Sequence, residues 1–162
     1  MSRRSDMHGF TLIELMITLV LLTIAVSIAV PSFTFLVQKT RLQSKADDLV
    51  RLLQYARGEA VTRRTTATIT VDDDGPWSLR VGSDERQLEH LPGQVQLLAD
   101  VAQIAFRPNG TATPAVITLC RESDPQTGFV VEVQPSGAPR LHPLGQDTDG
   151  SALTSCTPRG RT

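Results

Sequence analysis

Glu14 is the only charged side chain between Phe10 and Val30, in a run otherwise dominated by Leu, Ile, Val, Thr, Ala and Met. A carboxylate inside hydrocarbon costs about 2.5–3.5 kcal/mol even on the lenient insertion scale, so its presence there points to a partner cation and a function. Cys120 and Cys156 are the only cysteines. Arg159 and Arg161 flank Gly160 at the C-terminus, and Arg63 and Arg64 form a second basic pair; such groups can bind phosphate. Asp72, Asp73 and Asp74 precede Gly75, and Asp147 and Asp149 precede Gly150. The first cluster lacks the alternating acids and distant glutamate of a calcium loop, so a solvated turn is the plainer reading; Asp147 and Asp149 are slightly more suggestive of calcium, but a turn is the plainer reading there too. His8, His90 and His142 have no nucleophile or orienting carboxylate at a recognisable spacing. There is no phosphate-binding glycine loop, zinc signature or serine elbow, so no enzymatic activity is expected. No metal or cofactor is expected either, because two widely separated thiols without a histidine pair lack the usual ligand grouping.

These groups need elements to hold them. The 162 residues suffice for one domain with an appended segment, and 16 Lys and Arg against 17 Asp and Glu leave no overall basic field. Trp77 and Tyr55 are the only residues of their kind, which argues against a base-stacking surface. The run from Phe10 to Val30 has the length of one helical bilayer crossing, about 20 residues, and Arg3 and Arg4 ahead of it favour a cytoplasmic N-terminus. A cleaved secretory signal has a shorter apolar core; an uncleaved signal anchor and a buried helix of a soluble protein remain as alternatives. Pro31 interrupts the helical pattern, and a kink or local melting is expected there. Beyond it Leu42, Ala46, Leu49, Leu53, Ala56 and Ala60 recur at three- and four-residue spacing and form an amphipathic stripe to be packed on a sheet. Lys45, Asp48, Arg51, Gln54 and Arg57 fall on other faces and read as solvated surface.

After Arg64 the periodicity changes to two. Ala67, Ile69 and Val71 alternate with threonines, and Trp77, Leu79 and Val81 alternate beyond the Asp-rich turn, which predicts a hairpin. Further strands are predicted in 95–100, 103–120 and 128–144, with Asn109-Gly110 and Ser136-Gly137 as turn centres.

The stretch Gly9 to Met16, GFTLIELM, resembles the processing site of the type IV prepilin family and its relatives, the pseudopilins of type II secretion. The resemblance rests on the short basic leader, Gly9 before the apolar run, Phe10, Glu14 and Pro31. The helix 41–64 and the paired glycine turns resemble the minor pilins of the FimU and FimT type and the pseudopilin GspH. The resemblance implies that a membrane-embedded prepilin peptidase cuts between Gly9 and Phe10 and methylates the Phe10 amine. It implies an α+β lollipop: a cleaved leader 1–9, a membrane or filament-core helix 10–30, an amphipathic half 31–64 and a β-rich periplasmic head 65–162. The long helix, near 80 Å at 1.5 Å per residue, is then packed by its second half on an antiparallel β-sheet.

Function under this resemblance is structural. The chain is expected to wait in the bacterial inner membrane, with a cytoplasmic N-terminus and periplasmic head, and then to enter a filament. Its expected partners are other pilins or pseudopilins, the peptidase and the inner-membrane assembly platform. It is read first as a minor type IV pilin that initiates or caps assembly, next as a type II secretion pseudopilin, and third as a DNA-binding minor pilin. For the third, Arg159, Arg161, Arg63 and Arg64 are the contacts, although removal of Arg3, Arg4 and Asp6 leaves 14 Lys and Arg against 16 Asp and Glu. Both cysteines fall on the oxidising side of the membrane, so a Cys120–Cys156 disulfide is expected to staple the C-terminal tail to the sheet.

Overall fold

The computed structural model describes residues 11–72, 76–87, 95–121 and 123–158. Among the described residues one helix, α1 (Leu12–Thr62), is followed by eight strands: β1 (Ala67–Thr70), β2 (Ser78–Val81), β3 (Asp84–Gln87), β4 (Gln96–Ala99), β5 (Gln103–Phe106), β6 (Ala115–Arg121), β7 (Asp124–Val133) and β8 (Pro139–Leu141). The chain divides into two compact units, residues 1–38 and 39–162.

The first unit contains, among the described residues, only the N-terminal part of α1. Thr11 caps it: its hydroxyl accepts the Glu14 amide at 3.3 Å, one of the donors a helix start leaves open. Every described residue from Thr11 to Val30 is exposed. The segment is long and apolar enough to cross a membrane by length and composition. The hydroxyls of Thr18, Thr23 and Ser27 fold back onto the carbonyls of Leu15, Leu19 and Ile24, so they add no unsatisfied donor to an apolar surface. Of the kink or local melting expected at Pro31, melting does not occur, and α1 runs on through it rather than stopping. A proline forfeits one i→i−4 bond, and the neighbouring turns keep theirs.

In the second unit the predicted stripe is the buried face of the helix. Leu42, Ala46, Leu49, Leu53, Ala56 and Ala60 join Ile69, Trp77, Leu79, Ile104, Phe106, Ile117, Leu119, Phe129, Val131 and Val133 in the main core. The alanines at 46, 56 and 60 are fully buried, which lets the strands approach the helix backbone closely. The helix ends on Arg64, which takes φ +52°. There the Thr65 amide bonds the Ala60 carbonyl and the Arg64 amide that of Val61, a six-to-one, five-to-two closure usually built on glycine.

The strands form two four-stranded sheets rather than one, in the orders β3-β2-β1-β5 and β4-β6-β7-β8. The predicted hairpin is β1–β2, with Ala67 opposite Val81 and Ile69 opposite Leu79. Strand β3, whose residues DERQ carry no apolar alternation, was outside the expected elements. It is exposed along its whole length and is specified by pairing with β2, where Arg80 and Glu85 are partners and form an ion pair at 3.0 Å. A short charged strand at a sheet edge also discourages unwanted pairing.

The second sheet is covered on both faces. Alternation turns Ile117, Leu119, Phe129, Val131 and Val133 toward the helix-side core. Cys120 and Val130, with Leu153 and Cys156 of the C-terminal segment and the half-buried Val116, form a separate cluster. The tail therefore takes the place of a second layer, which explains the nearly continuous burial of β6 and of the second half of β7.

Candidate functional site

Glu14 lies in the first turn of α1 and is exposed. As the third helical residue after a threonine cap it occupies the glutamate position of a capping box, and a negative charge there also complements the positive end of the helix dipole. Gly9, Phe10, Arg159 and Arg161 lie outside the described residues, as do His8, His90, Asp73 and Asp74.

The structure brings the two predicted glycine turns together. Gly110 (φ +82°) closes the turn from Arg107, whose carbonyl accepts its amide at 2.9 Å; Gly137 (φ +79°) closes the turn from Gln134 at 2.8 Å. Between them the Ala112 amide bonds the Pro135 carbonyl at 3.1 Å. A β-carbon on Gly137 would lie 2.1 Å from the Gly110 carbonyl oxygen. Arg57 binds both turns: Nε donates to the Gly110 carbonyl and Nη2 to the Ser136 carbonyl, each at 3.0 Å.

Arg57 is half-buried rather than solvated surface, which corrects the expectation for that residue. It connects α1 to the loop leaving β5 in one sheet and to the β7–β8 turn of the other. Its sequence position gave no sign of this, since it merely borders Ala56 of the stripe. Hydrogen bonds to charged groups contribute about 1.5–3 kcal/mol each when buried. With partial exposure, Arg57→Ala is expected to cost about 2 kcal/mol, and Arg57→Lys to recover little of it, because an ammonium lacks the two-pronged geometry. Thermal melts of the three proteins, with a drop of several degrees shared by both variants, check this.

The four proposed phosphate-binding arginines are not equivalent. Arg63 is held by Glu59, one turn back, and by Asp84 of β3. The Asp84 hydrogen bond first, then the charge of Glu59, raises its pKa above the usual arginine value. Its charge is thus locally balanced. Arg64 is exposed at the helix end.

His142 meets a carboxylate across the strand pair: its Nε2 lies 3.1 Å from Glu132 Oε2. The spacing of ten residues is set by the β7–β8 pairing, so it is invisible as a motif. His142 is buried, and the pair serves as a packed polar contact. Asp147 and Asp149 act within their own turn, accepting the amides of Thr148 at 2.7 Å and Ser151 at 2.9 Å respectively.

Cys120 and Cys156 are joined in a disulfide with a Cα–Cα distance of 5.9 Å. The tail it holds touches the sheet through the Gly145 amide on the Gly128 carbonyl at 2.8 Å and the Thr118 hydroxyl on the Cys156 carbonyl, among other contacts. Leu153 packs over Gly128, where a β-carbon would come within 3.0 Å of it.

Two family descriptions match the chain. "Prokaryotic N-terminal methylation motif" covers residues 4–30, and "Type II transport protein GspH" covers residues 45–137, more than half of the chain. None of the curated proteins matches the sequence. Among solved structures, the type IV minor pilin FimU of Pseudomonas aeruginosa is similar at 25% identity and a TM-score of 0.60, over 72% of this chain and 96% of FimU. A second crystal form of FimU gives 28% identity and 0.56, over 70% and 98%. The minor pseudopilin EpsH of the Vibrio cholerae type 2 secretion system shares the fold at 16% identity and 0.53, over 64% of this chain and 98% of EpsH. The methylation motif at the start, the apolar helix and the two-sheet unit locked by paired glycine turns thus occur together in one chain, which belongs to the GspH family and has the pilin-like fold.

Proposed function

We propose that the chain is a minor pilin: a non-enzymatic subunit cut after Gly9, methylated on Phe10 and held in the inner membrane until it joins a type IV pilus whose assembly it helps to initiate or cap. What supports this most is the likeness to the minor pilin FimU over nearly all of that structure. The exposed aliphatic surface of α1 agrees with it, because such a surface needs lipid or protein around it. A pseudopilin of type II secretion is the second reading, favoured by the GspH family match; both use the same helix.

The mechanism is assembly. Cleavage removes Arg3 and Arg4, which hold the N-terminus at the cytoplasmic face, and creates an ammonium on Phe10. Glu14, one turn away, pairs with that ammonium of its own or a neighbouring chain, which lowers the cost of carrying both charges into an apolar bundle. Mass spectrometry of the protein from sheared filaments of its native cells tests the reading. A chain starting at methylated Phe10 is the expected result, and an intact Met1 or a cut after Ala29 contradicts it. Glu14→Ala is expected to leave membrane insertion intact while reducing incorporation at least tenfold, as read from immunoblots of sheared filaments against membranes.

A further inference from the structure

No charge occurs from residue 15 to residue 38, and the first charges after that run are three cations, Lys39, Arg41 and Lys45, with no acidic residue before Asp47. All three belong to the second unit and are exposed. None of their side chains has an ion-pair or hydrogen-bond partner among the described residues. The arginines farther along are engaged: Arg51 pairs with Asp48 at 3.5 Å, Arg57 binds two carbonyls, and Arg63 is held by Glu59 and Asp84. At 100° per residue the three free cations cover an arc of about 160° around α1. Leu42 and Ala46, the first buried residues of the helix, lie within that arc, so the cations surround the point where the head begins to pack. Asp47 does not neutralise Lys45, because residues two apart on a helix do not face each other.

We propose that Lys39, Arg41 and Lys45 bind the headgroups of anionic phospholipids on the membrane face from which the head emerges. The inference rests on the membrane-held reading above. About 20 helical residues fill the hydrocarbon, so a crossing that begins between Phe10 and Glu14 ends between Val30 and Thr34. Lys39 follows five to nine residues later, at the level of the headgroups. Side chains on a helix lean toward its N-terminus, here toward the membrane, and lysine and arginine stems reach several ångströms to place their charge. The interval is filled by uncharged residues such as the exposed Phe33 and Leu36, so the three cations are the first groups beyond the hydrocarbon that can meet a phosphate. Charge-assisted bonds to phosphate suit both an ammonium and a guanidinium. Each cation near an anionic surface strengthens attachment about fivefold. Such a site holds the base of the head against the bilayer, and entry into a filament requires leaving it.

Native mass spectrometry of the full chain, purified in detergent with equal amounts of phosphatidylglycerol and phosphatidylcholine, tests the site. The anionic lipid is expected to be retained roughly tenfold or more over the zwitterionic one at low salt, and less so as salt is raised. The triple variant Lys39→Gln, Arg41→Gln, Lys45→Gln is expected to bring that ratio down to about twofold. Its melting temperature should match the wild type, since the three side chains make no contact that holds the fold. Arg64→Gln with Arg107→Gln, which removes two exposed cations of the head, is expected to keep the preference, and millimolar inorganic phosphate to leave the lipid in place. Equal retention of the two lipids, an unchanged ratio in the triple variant, or the same loss in the Arg64 and Arg107 variant would each overturn the proposal. Displacement by inorganic phosphate would overturn it too, marking a site for a soluble anion. A triple variant that keeps its lipid but no longer enters filaments would assign the cations to carboxylates of a neighbouring subunit instead. The lipid readout needs no filament, so it separates this site from the assembly reading; a chain found only in the soluble fraction of its native cells would overturn the membrane reading and the site with it.

Discussion

Gly137→Ala is expected to destabilise the protein by about 3–5 kcal/mol, enough to leave much of it unfolded at 37 °C. Two costs combine. The residue sits at φ +79°, where a side chain costs about 1–2 kcal/mol. The new methyl would also lie 2.1 Å from the Gly110 carbonyl and 3.0 Å from Arg57 Nε. Neither neighbour yields cheaply, because the carbonyl is backbone and is itself an acceptor for Arg57. Relief requires the two turns to separate, which breaks the Ala112–Pro135 bond and leaves the guanidinium half-buried with fewer acceptors. Gly150→Ala is the control. Gly150 has φ +82° but open space around it, so only the backbone cost of about 1–2 kcal/mol applies. Urea denaturation of the full chain should show a midpoint shift for Gly137→Ala two- to threefold that of Gly150→Ala. Equal shifts would show that the turns are not locked together.

Removing the disulfide is the second large effect. Cys120 and Cys156 are 36 residues apart, and a closed loop of that size stabilises by about 3–4 kcal/mol in the chain-entropy account. The tail is also held by hydrogen bonds to the sheet and by the burial of Leu153. Cys120→Ser with Cys156→Ser, or reduction of the wild type, is therefore expected to lower the denaturation midpoint and to release residues 145–158 before the rest unfolds. Loss of the cover uncovers Val116 and Val130. Limited proteolysis read by mass spectrometry should find the first cuts in that segment only after the disulfide is lost. Unchanged cleavage would mean that packing alone retains the tail.

These expectations depend on features of unequal visibility in the sequence. The N-terminal methylation motif, the apolar run and the amphipathic stripe were legible because each is local: a helix repeats every 3.6 residues, so burial of one face writes itself into the spacing. The β1–β2 hairpin was legible for the same reason at period two, and both glycine turns were marked by residues that tolerate positive φ. Strand β3 was not, because an exposed edge strand needs no apolar residues and is selected by its neighbour's open hydrogen bonds.

What the sequence by itself determined is the order of elements, the buried face of α1, the turn positions and the cysteines available to pair. Only the tertiary structure decided that the strands separate into two sheets, that the tail covers the outer face of the second, that Glu132 meets His142 and that Arg63 is balanced by Asp84. It also decided that two turns 27 residues apart meet on the guanidinium of Arg57. The physical reason is range. Periodicity records what each residue owes to its own element, whereas a carbonyl that accepts from an arginine 53 or 79 positions away leaves no local trace. Such contacts exist only once the core has brought the elements together.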